Sequence, residues 1–208
     1  MESLGNFPDK VALTFDAEHP DRTGCTPGNV DRILDALSDA SVTATFFVQG
    51  RWAESAPDAA RRIVADGHMV GNHSFYHARM PLLSDDGLRT DVTDAQEAIV
   101  SILGVDPRPW FRCPFGAGND DPRVLGILKE LGYRNAHWDI ELEDWEPWRD
   151  GAAIARDAVS GIRASTEPPV VLLHTWPNGT ADAVPRILSA LLEGGANLAH
   201  VDELEHVP

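Results

Sequence analysis

LTFDAEHPDR, residues 13 to 22, joins an apolar run to a sudden cluster of acids and an imidazole. The apolar part alternates as in a buried β-strand, and Asp16, Glu18 and His19 follow directly at its end. Charged groups at the mouth of a buried strand are unfavourable unless they bind something. The stretch therefore predicts a strand that delivers reactive side chains to a functional site.

Similar apolar runs recur along the chain and predict further strands. The predicted strands cover residues 10–15, 42–48, 68–73, 134–140, 170–175 and 197–201. Between them, apolar residues repeat with helical spacing. One predicted helix begins after Pro27, a long one begins near Ser84, and a third stops at Gly132. Two further helices are predicted over about 151–163 and 181–193. This alternation predicts an α/β fold with mostly parallel strands, either an open sheet or a (β/α) barrel.

Length and charge restrict the domain count and the partners. At 208 residues with 43% hydrophobic content, the chain suits a single core, so we expect one domain over residues 1–208. It has 17 Lys and Arg against 33 Asp and Glu, a formal charge of −16. Such a charge repels phosphate backbones and anionic bilayers, so we expect neither nucleic acid nor a membrane as a partner. The oligomeric state is not predicted.

The opening MESLGNFPDK has neither the basic start nor the apolar run of a signal peptide. No apolar run reaches the roughly eighteen residues that span a membrane. Cys25 and Cys113 are the two cysteines, and their distance in sequence favours free thiols over a disulfide framework. These features predict a cytoplasmic protein, with a leader already removed as the alternative.

The motif HSFYH, residues 73 to 77, places two imidazoles four residues apart. On a helical turn they would face the same way and could hold one metal ion. Two packed or exposed histidines are the alternative. Gly71 and Asn72 precede the motif and favour a tight turn at a strand end.

The first strand offers a third ligand to such a metal ion. Residues two apart on a strand share a face, so Asp16 and Glu18 could address one spot while Ala17 faces away. Catalytic zinc sites take three protein ligands, and a carboxylate is commonly one of them. A solvated loop is the alternative interpretation of Glu18.

Further motifs place polar residues after strands. In FRCPFG, residues 111–116, Arg112 could grip a carboxylate and keep it ionised, with a surface ion pair as the alternative. VVLLHTW, residues 170–176, ends a buried strand at His174. With an acid from WDIELEDW, residues 138–145, His174 would be a proton donor; alone, it would be a packed residue.

These stretches, in this order, resemble the polysaccharide deacetylase family, also called the NodB homology domain or carbohydrate esterase family four. The resemblance rests on LTFDAEHP, on ATFFVQGRWAESAPDAARRIVADGHMVGNHSFYH, on RCPFG, on WDIELEDW and on LLH at 172–174. HSFYH matches the family's His-Ser/Thr-x-x-His motif in full. The resemblance implies a distorted (β/α) barrel and a metal-dependent deacetylase. Its substrate would be an N-acetylated sugar, a polysaccharide or a related small N-acyl compound.

The resemblance also implies roles for individual residues. Asp16 would be the general base, steadied by Arg112. His174 would be the general acid, tuned by Asp144. The backbone N–H of Phe115 would contribute to an oxyanion hole, and the acetyl pocket would be shaped by Trp145 and Leu172.

The metal ligands depart from the family pattern at one position. The family's first motif has two adjacent aspartates, the second of which is a metal ligand, but here that position is Ala17. Some branches carry the second carboxylate two residues after the first, so Glu18 resembles a shifted ligand, with His19 as the alternative. Together with His73 and His77, Glu18 would then bind one divalent metal. Zinc is the first choice, and cobalt, manganese or iron are alternatives.

Two other functions remain open from the sequence. Branches of the family without the metal ligands hydrolyse cyclic amides such as allantoin or cyclic imides, and the missing export signal favours such a cytosolic substrate. A catalytically silent carbohydrate-binding domain is the other alternative, in which Ala17 marks a decayed site. Against it stands the retention of Asp16, Arg112, Asp144 and His174.

Overall fold

The structure is a computed structural model that describes residues 7–18, 26, 28–204 and 207. Within it, contacts separate two compact units. Of the described residues, the first unit contains 7–15, 26, 28–45, 138–204 and 207, and the second contains 16–18 and 46–137. The expectation of one domain over 1–208 stays a prediction. His19 and Cys25 lie outside the described residues.

Short strands alternate with helices along the described chain. The strands are β1 (Ala12–Ala17), β2 (Thr45–Val48), β3 (Met69–Asn72), β4 (Trp110–Phe111), β5 (Arg134–Asn135), β6 (Ile140–Glu141) and β7 (Val170–His174). The helices are α1 (Asn29–Asp39), α2 (Gly50–Ser55), α3 (Pro57–Ala65), α4 (Asp85–Leu103), α5 (Pro122–Glu130), α6 (Gly151–Ala164) and α7 (Asn178–Glu193). No described helix has the length and apolar character required to cross a membrane.

The first unit contains the strand order β1-β7-β6. β6 and β7 run parallel, with Ile140 opposite Val171 and Glu141 opposite Leu172. Helix α7 packs against both α1 and α6 and buries an apolar face. Strand β7 is buried along its whole length and ends at His174, so this unit presents His174 at the carboxyl end of a core strand.

The second unit contains the strand order β2-β3-β4-β5 and the helices α2 to α5. β3 pairs in parallel with β4, and β4 pairs in parallel with β5. One apolar core cluster of this unit is formed by Met80, Leu88, Val92, Phe111, Cys113, Val124, Ile127, Leu128 and Tyr133. The last residues of β1, Asp16 and Ala17, belong to this unit, as do the residues that follow β3 and β4.

The structure differs from the predicted strands in three places. Residues 134–140 form two short strands instead of one, because the ends of the segment pair with different neighbours, β4 and β7. Residues 197–201 contribute one parallel bridge, Val11 to Leu198, instead of a strand. Strand β4 was not predicted, since two residues are too few to show a period.

Helix ends follow local capping rules. Ser84 caps α4 by accepting a hydrogen bond from the Gly87 N–H at 3.1 Å, as the start near Ser84 predicts. Gly132 follows α5 with a left-handed φ of 84°, a conformation that suits glycine. Helix α7 begins at Asn178, three residues before the predicted 181. The sequence analysis missed α2 and α3, which lie between the predicted strands at 42–48 and 68–73.

Candidate active site

The end of β1 directs two carboxylates toward two histidines. Asp16 Oδ2 lies 3.4 Å from His73 Nε2, and Glu18 Oε2 lies 2.6 Å from His77 Nε2. Between the two acids, the Ala17 side chain is fully buried and its carbonyl accepts a hydrogen bond from the Gln49 N–H. The alternation of an extended strand explains why Asp16 and Glu18 share a face that Ala17 does not.

The two histidines of HSFYH are brought together by a bend, so the predicted helical turn was wrong. Ser74 and His77 both adopt left-handed backbone, with φ of 63° and 58°. The Ser74 N–H donates to Asn72 Oδ1 at 2.8 Å, and the His77 N–H donates to Ser74 Oγ at 2.9 Å. These side-chain acceptors replace the backbone hydrogen bonds that a helix would make.

Asp91 supports the same bend from helix α4. Its carboxylate accepts the Phe75 N–H at 3.2 Å and the Tyr76 N–H at 3.0 Å. Burial raises the pKa of Asp91, and the hydrogen bonds from these two N–H groups oppose that shift. This residue was not predicted from the sequence. A usable signal was present, because Asp91 lies on the face of α4 that Leu88 and Val92 bury.

The donor atoms of Glu18, His73 and His77 form a compact set. His73 Nε2 and His77 Nε2 are 3.1 Å apart, Glu18 Oε2 lies 3.9 Å from His73 Nε2, and one ligand atom from each residue lies within 4.8 Å of the others. Two imidazole nitrogens and one carboxylate oxygen are a common ligand set for catalytic divalent metals. The residues therefore fit a metal ion.

His73 is prepared to act as a neutral ligand. Its Nδ1 lies 2.9 Å from the Arg112 carbonyl oxygen, so Nδ1–H donates there and Nε2 keeps its lone pair. Burial lowers the pKa of His73 from 6.5 to about 4, although Asp16 and Glu18 oppose the shift. A neutral imidazole is the form that binds metals, so the surroundings of His73 favour ligation at neutral pH.

Arg112 is fully buried and contacts Asp16, as the sequence analysis expected of this pair. Arg112 Nη1 donates to Asp16 Oδ1 at 2.9 Å. Arg112 Nε and Nη2 donate to the Ala136 and His137 carbonyl oxygens, both at 3.1 Å, and the guanidinium stacks 4.0 Å from the centre of the Phe47 ring. These contacts fix the guanidinium, so it can orient Asp16. We call Asp16, Glu18, His73, His77 and Arg112 the base cluster.

Phe115 adjoins the base cluster through its ring. The ring centre lies 4.4 Å from that of His77, and 53% of the residue is exposed. Its backbone is left-handed, with φ of 57°, inside the short 3-10 turn Pro114–Gly116. No described residue accepts a hydrogen bond from the Phe115 N–H. That N–H is therefore available to a ligand, and its oxyanion role stays a prediction.

The first unit contains the second set of site residues. Asp144 Oδ1 lies 2.7 Å from His174 Nδ1, and Asp144 Oδ2 accepts the His174 backbone N–H at 2.8 Å. Thr180 Oγ1 also donates to Asp144 Oδ2, at 2.5 Å. Asp144 and Thr180 are buried, and the contacts hold the carboxylate against the imidazole. We call Asp144, His174 and Thr180 the acid cluster; the sequence analysis missed Thr180.

Aromatic rings surround His174. The Trp145 ring meets it edge-on with centres 5.3 Å apart, and the Trp176 ring lies 6.0 Å away. Leu172 is buried in β7, two residues before His174 and therefore on the same side of the strand. Trp145 therefore contacts the acid cluster and Leu172 lies beside it in β7; that these two residues shape an acetyl pocket stays a prediction.

Comparison with known proteins adds sequence relatives. The family model for polysaccharide deacetylase matches residues 6–136. The peptidoglycan-N-acetylmuramic acid deacetylase PdaA of Bacillus subtilis is 30% identical over 97% of this chain and 73% of its own. A chitooligosaccharide deacetylase of Rhizobium leguminosarum bv. trifolii is 34% identical over 84% of this chain and 75% of its own.

Solved structures share the fold. A structure described as T48 deacetylase with substrate has a TM-score of 0.78 and 31% identity, and covers 94% of this chain and 89% of its own. BA3943, a carbohydrate esterase family four pseudoenzyme of Bacillus anthracis, has a TM-score of 0.82 and 26% identity, and covers 95% and 65%. The predicted α/β fold of the NodB-like deacetylases is therefore confirmed.

Proposed function

Because this chain belongs to the polysaccharide deacetylase family, we propose that it is a metal-dependent hydrolase that removes acetyl groups from N-acetylated sugar residues. One observation carries the proposal: the donors of Glu18, His73 and His77 converge beside an Asp16 that Arg112 holds. The deacetylase relatives make carbohydrate the substrate class. A soluble N-acetylated oligosaccharide or a small N-acyl compound fits the cytoplasmic location that we propose.

Glu18, His73 and His77 would hold one divalent metal ion, and zinc is our first proposal for it. When bound, the ion supplies Lewis-acid polarisation of the acyl carbonyl and of a water molecule. Cobalt, manganese and iron suit the same ligands, and availability decides among them. Glu18 would balance the charge of the ion in place of the aspartate that the family's usual motif has at position 17.

Asp16 would remove the proton from the attacking water. Arg112 binds Asp16 Oδ1, which leaves Oδ2 on the side of His73. A carboxylate that is fixed through one oxygen can accept a proton on the other without losing its orientation. The Phe115 N–H would donate to the oxygen that gains negative charge in the transition state.

His174 would donate a proton to the departing amine. Asp144 holds Nδ1, which leaves Nε2 as the ring nitrogen that exchanges a proton with the substrate. Trp145 and Leu172 would exclude water around the acetyl methyl group.

The test measures acetate release from N-acetylated oligosaccharides by the zinc-loaded chain. Asp16→Asn should lower the turnover by about 100- to 10,000-fold, the usual contribution of an acid–base group. Calorimetry should still show zinc binding by Asp16→Asn, whereas Glu18→Ala should bind zinc far more weakly. Near-normal turnover by Asp16→Asn, or no acetate from the zinc-loaded wild-type chain, would overturn the proposal.

The likeness to a pseudoenzyme gives the silent-domain alternative one observation in its favour. The donors of this chain nevertheless converge, and both acid–base residues keep their partners. Hydrolysis of cyclic amides without a metal would leave the Glu18, His73 and His77 arrangement without a use. Turnover measured before chelation, after chelation and after zinc is restored separates the three functions. A metal-dependent deacetylase loses its turnover and regains it, a cyclic-amide hydrolase keeps its turnover without metal, and a silent domain has none at any stage.

A further inference from the structure

Two arginines lie beside HSFYH and have no acidic partner in the part of the chain that the structure describes. Nine arginines of the described chain form ion pairs: Arg32, Arg61, Arg62, Arg89, Arg108, Arg112, Arg123, Arg149 and Arg156. Five exposed arginines of the described chain have no carboxylate at ion-pair distance, and two of them, Arg51 and Arg79, lie beside HSFYH; the other three are Arg134, Arg163 and Arg186. In a chain with 33 acids and 17 bases, unpaired cations next to a reactive site call for an explanation.

Arg79 continues a stack that begins at a proposed metal ligand. Its Cζ lies 4.4 Å from the centre of the Phe115 ring, and that ring lies 4.4 Å from the His77 ring. The guanidinium therefore lies next to the base cluster, with Phe115 between it and His77. Stacking restricts the guanidinium while its N–H groups stay available to a ligand.

Arg51 lies in a similar way on Tyr76, an exposed aromatic residue of HSFYH. Its Cζ lies 5.8 Å from the centre of the Tyr76 ring, and 60% of Tyr76 is exposed. Its backbone N–H donates to the Phe75 carbonyl at 3.4 Å, which ties the start of α2 to the bend. The Tyr76 backbone N–H donates to Asp91, which fixes the backbone of Tyr76 within the same bend.

We propose that Arg51, Tyr76, Arg79 and Phe115 form an arginine rim that binds a carboxylate of the substrate, so that the enzyme prefers acidic N-acetylated glycans. The inference rests on the proposed function and adds a charge to its substrate. An arginine can grip a carboxylate with two parallel hydrogen bonds, and an exposed aromatic ring can stack on a sugar face. Arg51 and Arg79 would be specificity residues, with no part in bond breaking.

The carboxylate has two chemical sources in such glycans. It can belong to a lactyl ether on the acetylated sugar itself, as in muramic acid, or to a neighbouring uronic acid. The chain as a whole disfavours anions, because its net charge of −16 repels them at long range. A local rim of arginines would offset that repulsion at the site of reaction.

The first experiment measures binding, which does not depend on turnover. The zinc-loaded Asp16→Asn chain is titrated with three oligosaccharides of equal length. One contains N-acetylmuramic acid, one alternates N-acetylglucosamine with glucuronic acid, and one is the neutral N-acetylglucosamine oligomer. At least one acidic ligand should bind about tenfold more tightly than the neutral ligand, and the better one identifies the source of the carboxylate. Equal affinity for all three would overturn the rim.

Variants then test the residues themselves. Adding Arg79→Gln should remove about tenfold of the affinity for the acidic ligand and leave that for the neutral ligand unchanged, since one charge-assisted hydrogen-bond pair is lost. Arg51→Gln should act in the same direction. Arg79→Lys keeps the charge without the planar fork and should restore part of the affinity. Arg186→Gln, an exposed arginine on α7, is the matched control and should change nothing.

Turnover distinguishes a failure of the rim from a failure of the proposed function. In the chain that keeps Asp16, Arg79→Gln should raise KM for the acidic substrate without changing kcat. If acetate is released equally well from neutral and acidic substrates by both forms, the rim is wrong and the deacetylase remains. If Arg79 governs the binding of acidic glycans but no substrate loses acetate, the rim stands and the proposed function fails.

Discussion

The base cluster and the acid cluster each fix a histidine through Nδ1, but with different partners. His73 Nδ1 faces the backbone carbonyl of Arg112 at 2.9 Å, whereas His174 Nδ1 faces the carboxylate of Asp144 at 2.7 Å. A neutral acceptor in a buried setting leaves a neutral imidazole whose Nε2 can bind a metal. A carboxylate acceptor also stabilises the ring while it carries a proton. The partner of Nδ1 therefore separates a proposed ligand from a proposed proton carrier.

The strongest test of this comparison is His174→Gln. Glutamine keeps a polar side chain but cannot carry the proton, so the turnover should fall by about 100- to 10,000-fold. Zinc affinity measured by calorimetry should stay at the wild-type value, because His174 is not among the proposed ligands. A large loss of zinc affinity would show that His174 contributes to metal binding and is not a proton carrier alone.

Asp91→Asn tests whether the bend prepares the ligands of the base cluster. The amide can accept only one of the two backbone N–H groups that Asp91 binds, so His73 and His77 should lose their alignment. We expect a loss of zinc affinity of about 10- to 100-fold, as for other residues that orient ligands.

Glu97→Gln is the control for that variant, because Glu97 is an exposed acid on the same helix. Zinc titration of the two variants beside the wild type gives the comparison. Equal affinities for Asp91→Asn and Glu97→Gln would mean that the bend is stable without the Asp91 carboxylate.

Thr180→Val examines the equivalent support in the acid cluster. Removing the hydroxyl takes away a buried charge-assisted hydrogen bond to Asp144, which should lower the free energy of unfolding by about 1.5 to 3 kcal/mol. The turnover should also fall, with its pH profile displaced, because Asp144 loses a group that orients it against His174. Urea denaturation and pH–rate curves give the two readouts.

Thr180→Ser retains the hydroxyl and should keep both properties close to the wild type. If Thr180→Val had the pH profile of the wild type and lost stability alone, Thr180 would be a packing residue and the acid cluster would reduce to a pair.

The smallest effect concerns Cys113, which lies in the turn that carries Arg112 and Phe115. Burial raises the pKa of its thiol to about 12, so only about one molecule in ten thousand carries the thiolate at pH 8. In a Cys25→Ser background, iodoacetamide should leave the folded chain unmodified at pH 8 and alkylate it once urea unfolds it. Mass spectrometry provides the measurement, and rapid alkylation of the folded chain would contradict the burial of this turn.

Strand parity and helical spacing explain why much of this architecture could be predicted. Alternation along β1 was enough to place Asp16 and Glu18 on one side, and the apolar repeat was enough to predict α4 and α5. Short strands such as β4 and β5 have no readable period, because their pairing is decided by neighbours distant in sequence. Local patterns therefore predicted most of the long elements, merged β5 and β6 into one strand and missed β4.

The supports of the site were missed for a related reason. Asp91 reaches Phe75 and Tyr76 from helix α4, and Thr180 reaches Asp144 across 36 residues of sequence. No spacing rule links such partners, since the contact exists only after the chain has folded. The bend of HSFYH was mistaken for a helical turn because both place residues four apart on one side.

The fully buried Ala17 side chain has a consequence for any attempt to redesign the ligands of the base cluster. In this chain, an aspartate at position 17 would replace a side chain that is packed without any exposed surface, and a carboxylate is unfavourable in such a place unless it gains a partner. Moving the carboxylate from Glu18 back to position 17 would therefore disturb the packing of β1 before it could supply a ligand.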